Sequence, residues 1–236
     1  QVLLHQRYIE KGVQVFMDIH QRNKEIVGTF RRALYDCHEP ELKAELKKVF
    51  RPDSQIHLAF PFEDLDGPGE LYESVYQPLI ASVPDLERRD YIVIGGSAET
   101  GHWVGCAGYY IGVFERPWLS IPATLRPVTM RYCEFFRIEG DRIVEMQALW
   151  DIPQVMMQSR AWPLAPSLGV DMLVPGPATQ DGIVTGPCDA DKAQQSLTLV
   201  TGMINGLSKF AQGGHSAMNL EQYWHPKMSW YGPAGI

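Results

Sequence analysis

IPATLRPVTMRYCEFFRIEGDRIVEMQALWD, Ile121 to Asp151, carries two strands and the turn that joins them. Met130, Tyr132, Glu134 and Phe136 alternate with Arg131, Cys133, Phe135 and Arg137, and a period of two is the signature of a strand. Glu139-Gly140 supplies a two-residue turn, because glycine tolerates the positive φ of a primed hairpin turn. The chain returns from Arg142 to Asp151. With Ile138 opposite Asp141, Glu134 faces Glu145, Tyr132 faces Gln147, and Asp151 lies opposite Val128. That register gathers Tyr132, Glu134, Glu145, Gln147 and Asp151 on one sheet face. A purely structural face would not need so many acceptors.

Working outward, His102 to Phe114 reads as a long strand, and Gly105, Gly108 and Gly112 within it mark bends or close backbone approach. Tyr91 to Ser97 precedes it, with Ala98-Glu99-Thr100-Gly101 as the turn. Gln55 to Phe60 alternates as an earlier strand. Residues 1–38 carry apolar residues at helical spacing, Glu41 to Phe50 forms a second helix, and Glu70 to Ala81 a third that Pro78 is expected to kink. Helices, a strand, a helix and then a run of antiparallel strands make an α+β fold.

The formal net charge is −7 over 236 residues, and no basic stripe is present, which argues against nucleic acid as a partner. No run of ~20 apolar residues predicts a membrane span. The four cysteines, Cys37, Cys106, Cys133 and Cys188, show no close pairing and read as reduced thiols of a cytoplasmic protein. No His or Cys cluster has metal-ligand spacing, so no metal is expected.

Beyond Trp162 the composition changes. Five prolines and four glycines up to Pro187 mark residues 161–189 as a linker. Asp189 is placed as the N-cap of a helix to about Ala211, with Leu197, Val200, Ile204 and Leu207 as its stripe. Phe50-Arg51-Pro52-Asp53-Ser54-Gln55-Ile56-His57 and Trp224-His225-Pro226-Lys227-Met228-Ser229-Trp230-Tyr231 share a layout: aromatic, any residue, proline, then a strand. The predicted organisation is a helical extension (1–27), a main domain (28–160), the linker, and the incomplete start of a second similar unit (190–236).

These segments resemble the SnoaL-like polyketide cyclase family of the nuclear transport factor 2-like superfamily. The resemblance is carried by Val83-Pro84-Asp85-Leu86, Gly108-Tyr109-Tyr110-Ile111-Gly112, Ile121 to Val128 and Phe136 to Glu145, with Asp151 six residues beyond Glu145. It covers roughly residues 28–158. It implies a cone, a curved antiparallel sheet wrapped around helices, with a deep pocket for a flat polycyclic substrate. An acid at the position of Asp151 acts there as general acid/base in an aldol ring closure that uses neither cofactor nor metal. Tyr132 and Glu134 stand where the cyclases carry Gln and His, Tyr110 replaces a strand-bend His, and Leu125 replaces a loop Gly.

Asp151, Glu134 and Tyr132 are therefore the candidate catalytic residues. An apolar interior would raise the Asp151 pKa towards working pH, and nearby Glu134 or Glu145 would add to it. The alternative is that Asp151 caps the segment Ile152–Gln158. Tyr132 and Tyr110 could donate to a developing oxyanion. His57, Tyr110, Gln147 and Glu145 are candidate substrate-binding residues, and Trp103, Trp118 and Phe60 candidate aromatic lining. The expected substrate is a hydrophobic, carbonyl-bearing small molecule handled by a cofactor-independent cyclase or isomerase. A non-catalytic carrier and a scaffold dimerising through the sheet remain open. A homodimer, or a pseudo-dimer within one chain, is expected.

Overall fold

The structure is a computed structural model that describes residues 7–10, 13–16, 18–35, 37, 39–165 and 189–228. The expected helical extension over 1–27 is corrected at its start. Strands β1 (Arg7–Glu10) and β2 (Val13–Phe16) pair antiparallel, Tyr8 opposite Val15. The runs RYIE and VQVF are short, contain three β-branched residues, and are separated by Lys11-Gly12, a pattern that suits strands. Helix α1 (Ile19–Ala33) begins only after Asp18, whose side chain accepts the His20 backbone N–H.

Helix α2 (Glu39–Val49) follows, then strands β3 (Phe50–Leu58) and β4 (Asp64–Asp66). The third helical run is continuous but not uniform: α3 (Gly67–Glu70), a π-helical stretch Leu71–Tyr76, and α4 (Gln77–Ser82). Pro78 has no N–H to give the preceding turn, and the helix widens there rather than breaking. Strands β5 (Glu87–Ala98), β6 (Gly101–Val113), β7 (Pro127–Glu139) and β8 (Arg142–Trp150) lead into helix α5 (Ile152–Gln158). The sheet order is β4-β3-β8-β7-β6-β5. It is mixed rather than wholly antiparallel, because β3 runs parallel to β8 with Gln55 opposite Glu145.

Helix α1 packs along β5 and β6 on the inner face of this sheet. Phe30 of α1 meets Phe50, Phe136 and Tyr76 edge to face, at centroid distances of 5.7, 5.8 and 6.1 Å, and all four rings are buried.

The β7–β8 hairpin departs from the expected register. Glu139 pairs with Arg142, so the turn is Gly140-Asp141, with Gly140 at φ 62°. That change alone would keep every side chain on its expected face. Ile138 pairs with Ile143, however, whereas Arg137 pairs with Glu145, leaving Val144 as a bulge. One extra residue reverses the parity of the rest of β8. Glu134 consequently lies opposite Ala148 and Tyr132 opposite Trp150, while Glu145 and Gln147 lie opposite Arg137 and Phe135 on the outer face.

The second unit, described by itself, contains α6 (Ala190–Leu207), α7 (Phe210–Met218) and a 3-10 turn Leu220–Gln222. Asp189 caps α6 as expected, accepting the N–H groups of Asp191 and Lys192 at 3.1 Å. The packed face of α6 is not the expected one. Gly202 and Gly206 lie against the Tyr223 ring, and Met203 accepts from Trp224 Nε1, whereas Leu197, Val200 and Ile204 are all about half exposed. Residues 225–228 form a turn, and the expected strand towards Tyr231 runs beyond the described residues, as do Cys188 and residues 166–188 of the linker. No helix among the described residues is long and apolar enough to cross a membrane.

Candidate functional site

The inner face of the sheet carries a buried charged cluster. Strand β5 starts at Glu87, so Arg88 and Asp90 point the same way, and the register sets them opposite Tyr110 and Gly108. Arg88 and Glu134 are fully buried, and Arg88 Nη1 donates to Glu134 Oε2 at 2.6 Å. Arg88 Nη1 also donates to the Tyr110 hydroxyl at 3.0 Å, and Arg88 Nη2 to Asp90 Oδ1 at 3.0 Å. Glu134 Oε1 accepts from Trp150 Nε1 at 2.8 Å and from the Tyr110 hydroxyl at 3.1 Å. Since Tyr110 gives its proton to Glu134, Tyr76 is the donor in the 3.2 Å contact between the two tyrosine oxygens. Asp90 accepts from the Tyr132 hydroxyl at 2.8 Å and from Arg31 Nε at 2.8 Å. The guanidinium lies 4.2 Å from the Tyr132 ring centroid.

Buried charges survive only when paired and hydrogen-bonded, and here they are. Burial disfavours the Arg88 cation, but Glu134, Tyr132 and Asp90 outweigh it and hold the group more firmly protonated than usual. Burial likewise pushes Asp90 up, while Arg88 and Arg31 pull it below the usual carboxylate range. Burial, seconded by Glu134, raises Tyr76 and Tyr110 well above the ordinary phenol value, so both stay neutral donors.

Beside this cluster lies an apolar void of about 20 Å³ between α4, α5 and the inner sheet face. Leu79, Val83, Tyr110, Phe114, Trp118 and Met130 are among its walls. It has room for about one water molecule and is far below the ~300–1,000 Å³ of a typical ligand pocket.

The expected site residues divide into three groups. Glu134, Tyr132 and Tyr110 meet in the cluster, and Trp118 lines the void. Asp151 does not face an open hollow. It caps α5, accepting the Gln154 N–H at 3.2 Å, and pairs with Arg131 Nη2 at 3.0 Å. The bulge at Val144 and the parallel β3 partner carry the rest outward. Gln147 donates to Glu145, which binds Arg137, and His57 Nδ1 lies 2.7 Å from Asp64 Oδ1. Trp103, opposite Arg137, donates to Thr100 Oγ1 near the β5–β6 turn. Phe60 is 81% exposed in the β3–β4 loop. Arg88 and Asp90, absent from the expected set, form half of the cluster. Four charged residues in succession, Glu87-Arg88-Arg89-Asp90, carry no period-two signal, so nothing in the sequence marks Arg88 and Asp90 as the inward pair. Among the described residues no group of His, Cys, Asp and Glu could hold a metal ion.

No family model matches the sequence, and no curated protein matches it. Solved structures do match. One is described as a SnoaL-like polyketide cyclase from Jannaschia sp. CCS1, with a TM-score of 0.52 and 16% identity over 64% of this chain and 100% of that one. The fold is that of the SnoaL-like polyketide cyclases. A Streptomyces galilaeus protein described as a hydroxylase also matches, with a TM-score of 0.51 and 12% identity over 63% of this chain and 87% of that one. At these identities the SnoaL-like likeness concerns architecture alone.

Proposed function

We propose that the first unit is a small-molecule domain, a cone that holds a hydrophobic, carbonyl-bearing ligand between α4, α5 and the inner sheet face. The observation that carries this reading is the void: its walls are apolar except for Tyr110 and Trp118, and Tyr110 is backed by Arg88 and Glu134. An apolar slot with a few convergent polar groups is the usual form of a ligand site. The void is smaller than such a ligand, so binding requires its walls to part. Thermal melting with flat ketones such as tetralone tests it. A ligand that binds only the folded state raises the melting temperature with concentration. Val128→Phe, which fills the void, is expected to abolish the rise. No shift with any ketone in the wild-type chain removes the reading.

A second reading, a cofactor-independent cyclase or isomerase, has one observation in its favour. A ligand carbonyl reaching Tyr110 would have to take over the hydroxyl proton that Tyr110 otherwise gives to the Glu134 carboxylate at 3.1 Å. On that reading Tyr110 and Glu134 take the acid/base and orienting roles, and Asp151, held by Arg131 and the α5 backbone, supports them from outside. Tyr110→Phe would then abolish turnover while ligand affinity stays within a few fold. The second unit is proposed as the opening of another such domain. Two helices followed by Trp224-His225-Pro226 repeat α1, α2 and Phe50-Arg51-Pro52.

A further inference from the structure

Trp118 is 3% exposed, and its Nε1–H has no hydrogen-bond partner among the described residues. A buried donor left unpaired costs free energy that folding does not recover, and most native structures avoid it. Of the residues lining the void, only Tyr110 and Trp118 carry a polar side-chain atom. The Tyr110 hydroxyl is already committed to Glu134.

The backbone beneath Trp118 is strained as well. Trp118 and Ile121 exchange backbone hydrogen bonds across Leu119-Ser120, and both of these residues have positive φ, 50° and 64°. Such a turn favours Asn-Gly, and a leucine there is unusual. The loop is fastened on its other side to the end of α4. Ser82 O accepts from the Glu115 and Arg116 N–H groups, and the Ser82 hydroxyl, 2.8 Å from Pro78 O, shares its proton with Pro117 O at 3.2 Å. Strain that persists because its surroundings impose it is a recurrent mark of ligand clamps.

We infer that Trp118 is the specificity-determining donor of this site, its Nε1–H taking the oxygen of a neutral carbonyl on an otherwise apolar ligand. Among the described residues the walls offer no free cation for a carboxylate, since the buried Arg88 is bound by Glu134 and Asp90. The inference rests on the reading of the interior as a ligand site, and the experiment separates the two. Indanone and indane share a skeleton and differ by one carbonyl. Calorimetric titration is expected to show indanone binding about tenfold more tightly, the effect of one neutral hydrogen bond. Trp118→Phe keeps an aromatic ring but removes the five-membered ring with its N–H, and is expected to erase that preference, leaving indanone and indane bound alike. In the wild-type chain, the indole ¹H–¹⁵N resonance missing from the variant should move with indanone and stay with indane. Equal affinities with a stationary indole resonance, or a preference that survives Trp118→Phe, overturn the role of Trp118 and leave the pocket standing. Failure of both probes to bind overturns the pocket and the donor together.

Discussion

Replacing Asp151 by alanine removes the side-chain cap of α5 and the partner of Arg131. The expected cost is about 1–2 kcal/mol in urea unfolding. Asn keeps the capping oxygen, so Asp151→Asn should cost less, and neither change should alter ligand affinity. A tenfold loss of affinity in Asp151→Asn would return this buried residue to the ligand site. The position illustrates a limit of reading single residues. An acid that ends a strand and precedes Ile152-Pro153 fits both a cap and a general base, and only its partners decide. Arg131 is that partner, twenty positions earlier, set beside it by the β7–β8 pairing. Glu134, by contrast, was identifiable as an inward-facing acid from the alternation in β7, although the partner that neutralises it, Arg88, came from a strand whose start was misplaced.

Within the elements, β6 explains its own glycines. A Cβ on Gly108 would sit 2.3 Å from the Tyr132 hydroxyl and 2.1 Å from Arg89 O, so the absent side chain is what lets Tyr132 reach Asp90. Gly108→Ala is expected to destabilise by about 1–3 kcal/mol, the usual cost of overpacking. The same substitution at Gly140, where no atom lies within 4 Å, should be felt only through its positive φ. Comparing the two variants by denaturant unfolding checks the assignment, and a neutral Gly108→Ala would contradict it. The alternation of β7 and the close-approach glycines of β6 were legible in the sequence because they are local. The Val144 bulge was not: Ile143-Val144 looks like the adjacent apolar pairs Phe135-Phe136 and Leu149-Trp150, in each of which one residue is exposed, and only the pairing shows that Ile143 and Val144 are both buried.

For the whole first unit, the cluster sets the pH range of stability. The folded Asp90 carboxyl titrates below its unfolded value of about 3.9. Its contribution is therefore complete above that value and is lost as pH falls through the lower, folded value. Tyr76 and Tyr110 are raised instead, so their contribution is complete below about pH 10 and is lost as pH rises through their folded values. The melting temperature should thus form a plateau between these limits and fall on both sides. Asp90→Asn should lower the plateau and flatten the acid limb, and an unchanged acid limb would show that Asp90 is not its cause. The α+β class and the likeness to the cyclases were readable from element order and motif, while the mixed sheet and the N-terminal hairpin depended on which strands find each other.

That meeting has a consequence during synthesis. Strand β3 lies between β4 and β8, and β8 is the last strand of the sheet to be made. A chain leaving the ribosome therefore carries an unmated β3 edge through the production of three further strands. Productive folding of this unit has to wait for Trp150, and any pause in translation before that residue prolongs the interval in which the edge can join a neighbouring nascent chain instead.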